Sequence, residues 1–265
     1  MKLGAFYQSG HKLVACYKAI EQLRKIYPDI PVALFEEGSD FLLPVANKFN
    51  LNYTKVVQKG VNQKHSGRPV VDLESNLLWL GRIYESCLTT LKDVDWILHY
   101  EDDVWCKSSI KETPKFDIAG ANGPLYTTEL YDYLKKRFNV SDESRSHWSH
   151  LGSLQSYGAC GGAIFNRLKF IEAYDKLNEI PWDEIYKLDS RPIEWSDASL
   201  SFVFQHAGFT SGPWNEWANY DTKGFGNFWD KTGWSVSMDE QPDVAVLHLY
   251  KHFYNYEPGD IDLQF

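Results

Sequence analysis

The chain has 265 residues, enough for one large α/β domain or two small ones, and its 43% hydrophobic and 24% charged content is ordinary globular usage. The formal net charge is −9, and the nearest thing to a basic run is Lys135-Lys136-Arg137, so a nucleic-acid binder that works through a positive face is excluded. No stretch approaches the ~20 apolar residues of a membrane helix, and Met1 to Gln8 is too short for a signal peptide, so a soluble, cytoplasmic protein with no integral membrane segment is expected if this is the whole gene product.

In chain order, Leu3 to Tyr7 reads as an opening strand, broken by Ser9-Gly10. Leu13, Val14, Tyr17, Ile20, Leu23 and Ile26 recur at helical spacing. Val32 to Phe35 is a short buried strand closed by the acidic turn Glu36-Glu37-Gly38-Ser39-Asp40. Phe41 to Phe49 reads as a helix with Pro44 in its first turn, and Tyr53 to Val57 as a third strand. Gly60 to Pro69 is a polar loop, after which Asp72 can cap a helix whose face is Leu73, Leu77, Leu80, Tyr84 and Leu88. Trp96 to Tyr100 is a strand, and Glu101-Asp102-Asp103 follows at once. Strands alternating with helices imply a mostly parallel sheet covered on both faces, with ligands beyond the carboxyl ends of the strands.

The second half is less regular. Phe116 to Gly120 is a candidate strand, Leu125 to Phe138 a Tyr-rich helix, and residues 141–157 a polar loop. Gly158 to Phe165 turns into an apolar segment, Leu168 to Leu177 is helical, and Ala198 to Phe204 starts a helix after Glu194-Trp195-Ser196-Asp197. Val244 to Leu247 is a last strand, ending at His248. With no internal repeat and no low-complexity linker, one domain over 1–265 is the simplest organisation. Cys16, Cys87, Cys106 and Cys160 have no metal-site spacing and read as free thiols of a reducing compartment. The sequons at Asn52 and Asn139 are short enough to arise by chance. Aromatics reach 15%, with ten Trp; rings stack on sugars and also fill cores, so composition favours neither use.

The acid triplet carries the chemistry. Three adjacent carboxylates at a strand end repel one another, which serves no structural purpose; a hard cation with oxygen ligands removes the repulsion. The plain alternative is a solvated acidic turn, which a preceding five-residue apolar strand disfavours.

His99-Tyr100-Glu101-Asp102-Asp103-Val104 resembles the DXD motif of GT-A glycosyltransferases in its EDD form. The resemblance spans roughly residues 2–250 and extends to the order of the other parts: the strand and acidic turn at 31–40, the Leu73–Leu88 helix before the acids, and the glycine-rich Tyr157-Gly158-Ala159-Cys160-Gly161-Gly162-Ala163. It implies a GT-A (Rossmann-like) mixed, mostly parallel sheet flanked by helices. A nucleotide-sugar-binding half would span 1–105 and an irregular acceptor-binding half 106–265. It implies a soluble enzyme of bacterial or large-DNA-virus type, in the host cytoplasm if viral. The donor would be a nucleotide-sugar, with a UDP-sugar expected, and the acceptor an oligosaccharide or glycoprotein glycan. The cofactor would be Mn²⁺ or Mg²⁺.

By residue, the resemblance implies Asp103 as direct metal ligand, Asp102 facing the donor, Glu101 as structural, and His248 completing the metal site, with His252 as competitor. Glu37 in the acidic turn would contact the nucleoside. Tyr7, where the family often has Asp or Thr, would stack on the base. Arg68 would reach the diphosphate or donor sugar; its bland reading is a surface arginine. Asp197, just before a late helix, matches the catalytic base of inverting members, since an acceptor hydroxyl must lose a proton as it attacks. Its alternative is a helix N-cap, and Glu194 is the reserve base. Trp214 and Trp217, among the Trp of the second half, are candidate acceptor-sugar platforms, and His147, Trp148 and His150 could join them.

Two rival functions remain at this level. A sugar nucleotidyltransferase shares a sheet-end metal site but usually carries a basic glycine-rich loop after the first strand, which Gln8-Ser9-Gly10-His11-Lys12 matches thinly. A non-catalytic glycan-binding module would use the Trp-rich half and need neither nucleotide nor Asp103.

Overall fold

The computed structural model describes residues 1–9, 12–37, 40–56, 73–120, 122–138, 155–157, 161–219, 243–248, 258, 259 and 263. The first half reads in order Leu3–Ser9 (β1), Leu13–Ile26 (α1), Val32–Glu37 (β2), Leu43–Lys48 (α2), Asn52–Val56 (β3), Leu73–Leu88 (α3) and Trp96–Tyr100 (β4). The second half begins with Val104–Cys106 (β5), Ile118–Gly120 (β6), Asn122–Leu125 (β7), Thr128–Phe138 (α4), Gln155–Tyr157 (β8) and Ile164–Asn166 (β9). It continues with Arg167–Asp175 (α5), Trp182–Leu188 (α6), Arg191–Glu194 (α7), Ser196–His206 (α8), Ser211–Pro213 (β10), Trp217–Asn219 (β11) and Val246–His248 (β12).

Seven strands form the main sheet, in the order β10-β6-β9-β4-β1-β2-β3. Pairings β1–β2, β1–β4, β2–β3 and β6–β10 are parallel, and β9 alone runs antiparallel to its neighbours β4 and β6. The expected mixed, mostly parallel α/β sheet is what forms, with helices on both faces. Strand alternation explains the two cores. On one face Leu3, Ala5, Tyr7, Val32, Leu34, Trp96, Leu98 and Tyr100 pack under α1 and α2. On the other, Phe6, Ala33, Phe35 and Ile97 pack under α3, α5 and α8. Gly4 faces that second core, where a Cβ would come within 2.8 Å of Leu91.

Several local expectations shift. The acidic turn begins later than expected, because Glu36 and Glu37 are still strand residues. Glu36 is fully buried and accepts from the amides of Phe41 and Leu42 at 2.8 and 2.9 Å and from the Tyr53 hydroxyl at 2.7 Å, so a strand carboxylate closes the start of α2. Residues 155–157, expected in a loop, form β8 paired with β7. Asp197 is not the N-cap of α8: Trp195 holds that position and the helix opens at Ser196. Asp72, Arg68 and the rest of residues 57–72, with the loop expected there, lie outside the described residues. Cys16, Cys87 and Cys106 are buried free thiols, and Cys160 lies outside the described residues. No helix among the described residues is long and apolar enough to cross a membrane.

The topology also fixes which elements share the ligand end of the sheet. Helix α3 runs back from that end to feed β4, and α8 does the same for β10, four residues after its last turn. Both helices therefore begin at the carboxyl end of the parallel strands. Asn76, in the first turn of α3, donates to the carbonyl of Ile193 just ahead of α8, which ties the two helix starts together.

At its far end, α8 closes on His206, which is buried between Phe202 and Tyr133 with ring centroids 5.7 and 6.5 Å away. Burial, aided by the charge of Arg137, pushes its pKa down to about 4. The unfolded chain takes up this proton near pH 6.5 and the folded chain only near 4, so stability is full above that window and falls as pH drops through it. His206→Phe should flatten this part of the acid limb by roughly 2–3 kcal/mol. Urea midpoints of the two proteins between about pH 7 and 4 test this; parallel curves would show that His206 does not set the slope.

Candidate metal centre and active site

Strand β4 is buried at all five positions, and the chain turns as soon as it leaves the sheet: the Val104 amide donates to the Glu101 carbonyl at 3.1 Å. In this turn the three acids separate. Asp102 and Asp103 are both buried, but Asp102 turns toward β1, where it accepts from the Tyr7 hydroxyl and, at 2.9 Å, from the Ser9 hydroxyl. Tyr7 and Ser9 are two apart on β1 and so share a face. Burial pushes the Asp102 carboxyl up to about 7; the two hydroxyl bonds oppose that rise, and the neighbouring Asp103 and Glu101 add to it.

Glu101 and Asp103 are left to converge with His248. Each of the three offers one ligand atom, and these atoms lie within 4.8 Å of one another. The histidine arrives through a second, three-stranded sheet, β11-β12-β5. Strand β12 pairs antiparallel with β5 in the register Val246↔Cys106, Leu247↔Trp105 and His248↔Val104. That register sets His248 beside the residue following Asp103, with Nε2 3.4 Å from Asp103 Oδ1. Among the described residues no hydrogen bond reaches this buried Oδ1. Glu101 is held from behind: His99 Nε2 stands 3.1 Å from its Oε1, and the His99 ring is wedged between Phe6 and Trp79.

The donor set fits a divalent cation. Two carboxylates and an imidazole at a strand end suit Mn²⁺, and the carboxylates suit Mg²⁺. A buried carboxylate oxygen with no hydrogen bond beside a second carboxylate is costly unless a positive charge joins it.

The other expected site residues fall as follows. Tyr7 is not placed to stack on a base: its ring is fully buried, tilted against Tyr100 at 6.1 Å, and its hydroxyl serves Asp102. Asp102 is occupied by Tyr7 and Ser9 rather than turned outward. Glu101, expected as structural, converges with Asp103 and His248. Glu37 ends β2, where it accepts from Gln8 Nε2 and from Arg82 Nη1, both at 2.9 Å. Asp197 lies in the first turn of α8, at the ligand end of the sheet; its side chain is outside the described residues. Glu194 accepts from the Ser190 hydroxyl at 2.8 Å. Trp214 is 6% exposed and belongs to the core beside α1, so it offers no sugar platform. Arg68, His147, Trp148, His150 and His252 are outside the described residues.

Sequence reasoning passed over Ser9 and His99. Ser9 had a signal, since period two on β1 puts it with Tyr7 on one face. His99 had the opposite one: alternation turns it away from Tyr100 and toward the core.

Tyr7→Phe keeps the ring and removes the donor, leaving a buried carboxylate short of one bond. The expected loss is about 1–3 kcal/mol in urea unfolding; no measurable loss would mean that Ser9 alone satisfies Asp102.

No protein-family model matches the chain. No curated protein sequence matches it. Among solved structures, the galactosyltransferase LgtC in complex with donor and acceptor sugar analogues is similar at a TM-score of 0.49 and 13% identity, over 92% of this chain and 86% of that one. A structure of an active-site mutant of LgtC is similar at a TM-score of 0.49 and 14% identity, over the same shares.

Proposed function

We propose that the chain is a metal-dependent glycosyltransferase of the GT-A kind, moving a sugar from a nucleotide-sugar to a hydroxyl of an oligosaccharide or glycoprotein glycan. The observation that carries this reading is the convergence of Glu101, Asp103 and His248 beyond the carboxyl ends of a mostly parallel sheet. That is where open α/β sheets bind their ligands. The EDD resemblance of 101–103 supplies the reaction class, and a UDP-sugar is the donor we infer.

In this reading Glu101, Asp103 and His248 hold Mn²⁺ or Mg²⁺. When bound, the ion neutralises the donor diphosphate and stabilises the charge that builds on it as it leaves. Asp102, pinned by Tyr7 and Ser9, keeps the two flanking carboxylates turned the same way. Glu37, with Gln8 and Arg82, lies near the end of the parallel strands on the nucleoside side, and Arg68 is assigned to the diphosphate. Asp197 takes the proton from the acceptor hydroxyl. The hydroxyl oxygen forms the new bond to the anomeric carbon, and the nucleoside diphosphate departs with the electrons of the old one, so the configuration inverts. Residues 1–105 bind chiefly the donor and 106–265 chiefly the acceptor, with His248 crossing from the second group to the first. The buried state of Trp214 weakens the alternative of a Trp-lined glycan-binding module.

The test is nucleoside diphosphate release from a panel of nucleotide-sugars with Mn²⁺. Slow donor hydrolysis that disappears in Asp103→Asn and His248→Ala supports the transferase. Turnover that requires pyrophosphate would replace it with a nucleotidyltransferase, and an absence of both turnover and nucleotide binding would sink it. Asp197→Ala should lower transfer by about 10²–10⁴-fold while donor binding is kept. If donor binding is lost as well, Asp197 is not the base.

A further inference from the structure

Trp217 opens β11 and touches both sides of the acid centre. Its ring lies over His248, with centroids 6.4 Å apart and planes 28° from parallel. Its Nε1–H donates to the carbonyl of Gly161 at 3.2 Å. Gly161 in turn lies against Glu101: a Cβ at this position would come within 2.7 Å of Glu101 Oε2 and of Val104 Cγ2. Gly162, next in the chain, has φ +86°, and a Cβ there would lie 2.8 Å from Trp217 Nε1 and from Val246. The two glycines are therefore required for different reasons. Gly161 needs space beside the carboxylate, and Gly162 needs a backbone conformation that side chains disfavour. The Gly162 amide donates to the His99 carbonyl at 2.6 Å, which fixes this turn to the end of β4.

The three ligand residues come from two segments 145 positions apart, and strand pairing alone sets only their backbones. A side chain that stacks on the histidine and holds the glycine turn against the glutamate limits the remaining freedom, the angle of the imidazole and, together with the His99 contact, the reach of the carboxylate. Groups behind a metal's ligands fix its geometry in this way. We propose that Trp217 is a positioning residue of the metal centre, bracing His248 by ring stacking and Glu101 through Gly161, rather than a sugar platform. This rests on the metal-centre reading given above.

The test uses the full chain and Mn²⁺ alone, with affinity read from the free-ion spin-resonance signal on protein whose folding is verified by circular dichroism. Asp103→Asn serves to establish the centre itself. Trp217→Leu should weaken Mn²⁺ binding by about 10–100-fold. Trp217→Phe keeps a stacking face but loses the N–H donor, and should fall between Trp217→Leu and the parent. Gly161→Ala should also weaken binding, because the new methyl displaces the end of the Glu101 side chain. If Trp217→Leu does not fold, Trp217→Phe and Gly161→Ala decide the matter. Parent-like Mn²⁺ affinity in the Trp217 variants, with binding lost in Asp103→Asn, would overturn the bracing role and leave the metal centre standing; so would a change confined to the acceptor KM. Mn²⁺ binding that is absent in the parent, or indifferent to Asp103→Asn, would remove the metal centre and this role with it.

Discussion

Three carboxylates in consecutive positions cannot share one face of a turn without strong repulsion, and the protein resolves this by dividing them. Asp102 is drawn toward β1 by two of its hydroxyls, and Glu101 and Asp103 converge instead with His248. The division costs the burial of a carboxylate, which is why its pKa rises to about 7 despite two hydrogen bonds. It also anchors the turn to an interior strand of the sheet, since β1 lies between β4 and β2. The orientation of the other two acids thus goes with bonds that neither of them makes.

The small sheet then acts as a second constraint. Strand β5 leaves the main sheet immediately after the acids and takes β12 as an antiparallel partner. One residue of slip in that pairing would turn His248 to the opposite face and away from Asp103. Register therefore matters more here than the number of strand residues, which is only three on each side. The apolar residues Val104, Cys106 and Val246 anchor it, because they are buried in the core beneath α1.

Periodicity made the first half readable. The apolar run Trp96 to Tyr100 and the four-three spacing of Leu73 to Leu88 correspond to β4 and α3 end to end, because each is long enough for its period to show. The second half resisted for the opposite reason. Strands β6 and β12 are marked by short apolar runs at 116–120 and 244–247, but β8, β10 and β11 have three residues each, too few for alternation to register against a helical or loop background. Trp214 and Trp217 show the same limit at the level of single residues: near neighbours in a Gly/Pro-bearing stretch, one is core and the other lies across a histidine. Nothing in their local sequence distinguishes them.

By itself the sequence determined the acidic end of a buried strand and the alternation that makes a mostly parallel sheet, since each follows from local spacing; the candidacy of Asp103 and His248 comes from the family resemblance of their segments. Only the tertiary structure decided which acids converge. The turn of Asp102 toward β1 depends on Tyr7 and Ser9, more than ninety positions away. The convergence of Glu101 and Asp103 with His248 depends on the register that sets His248 opposite Val104. Local propensity carries no information about either, because both are set by which backbones pair and which side chains the core admits.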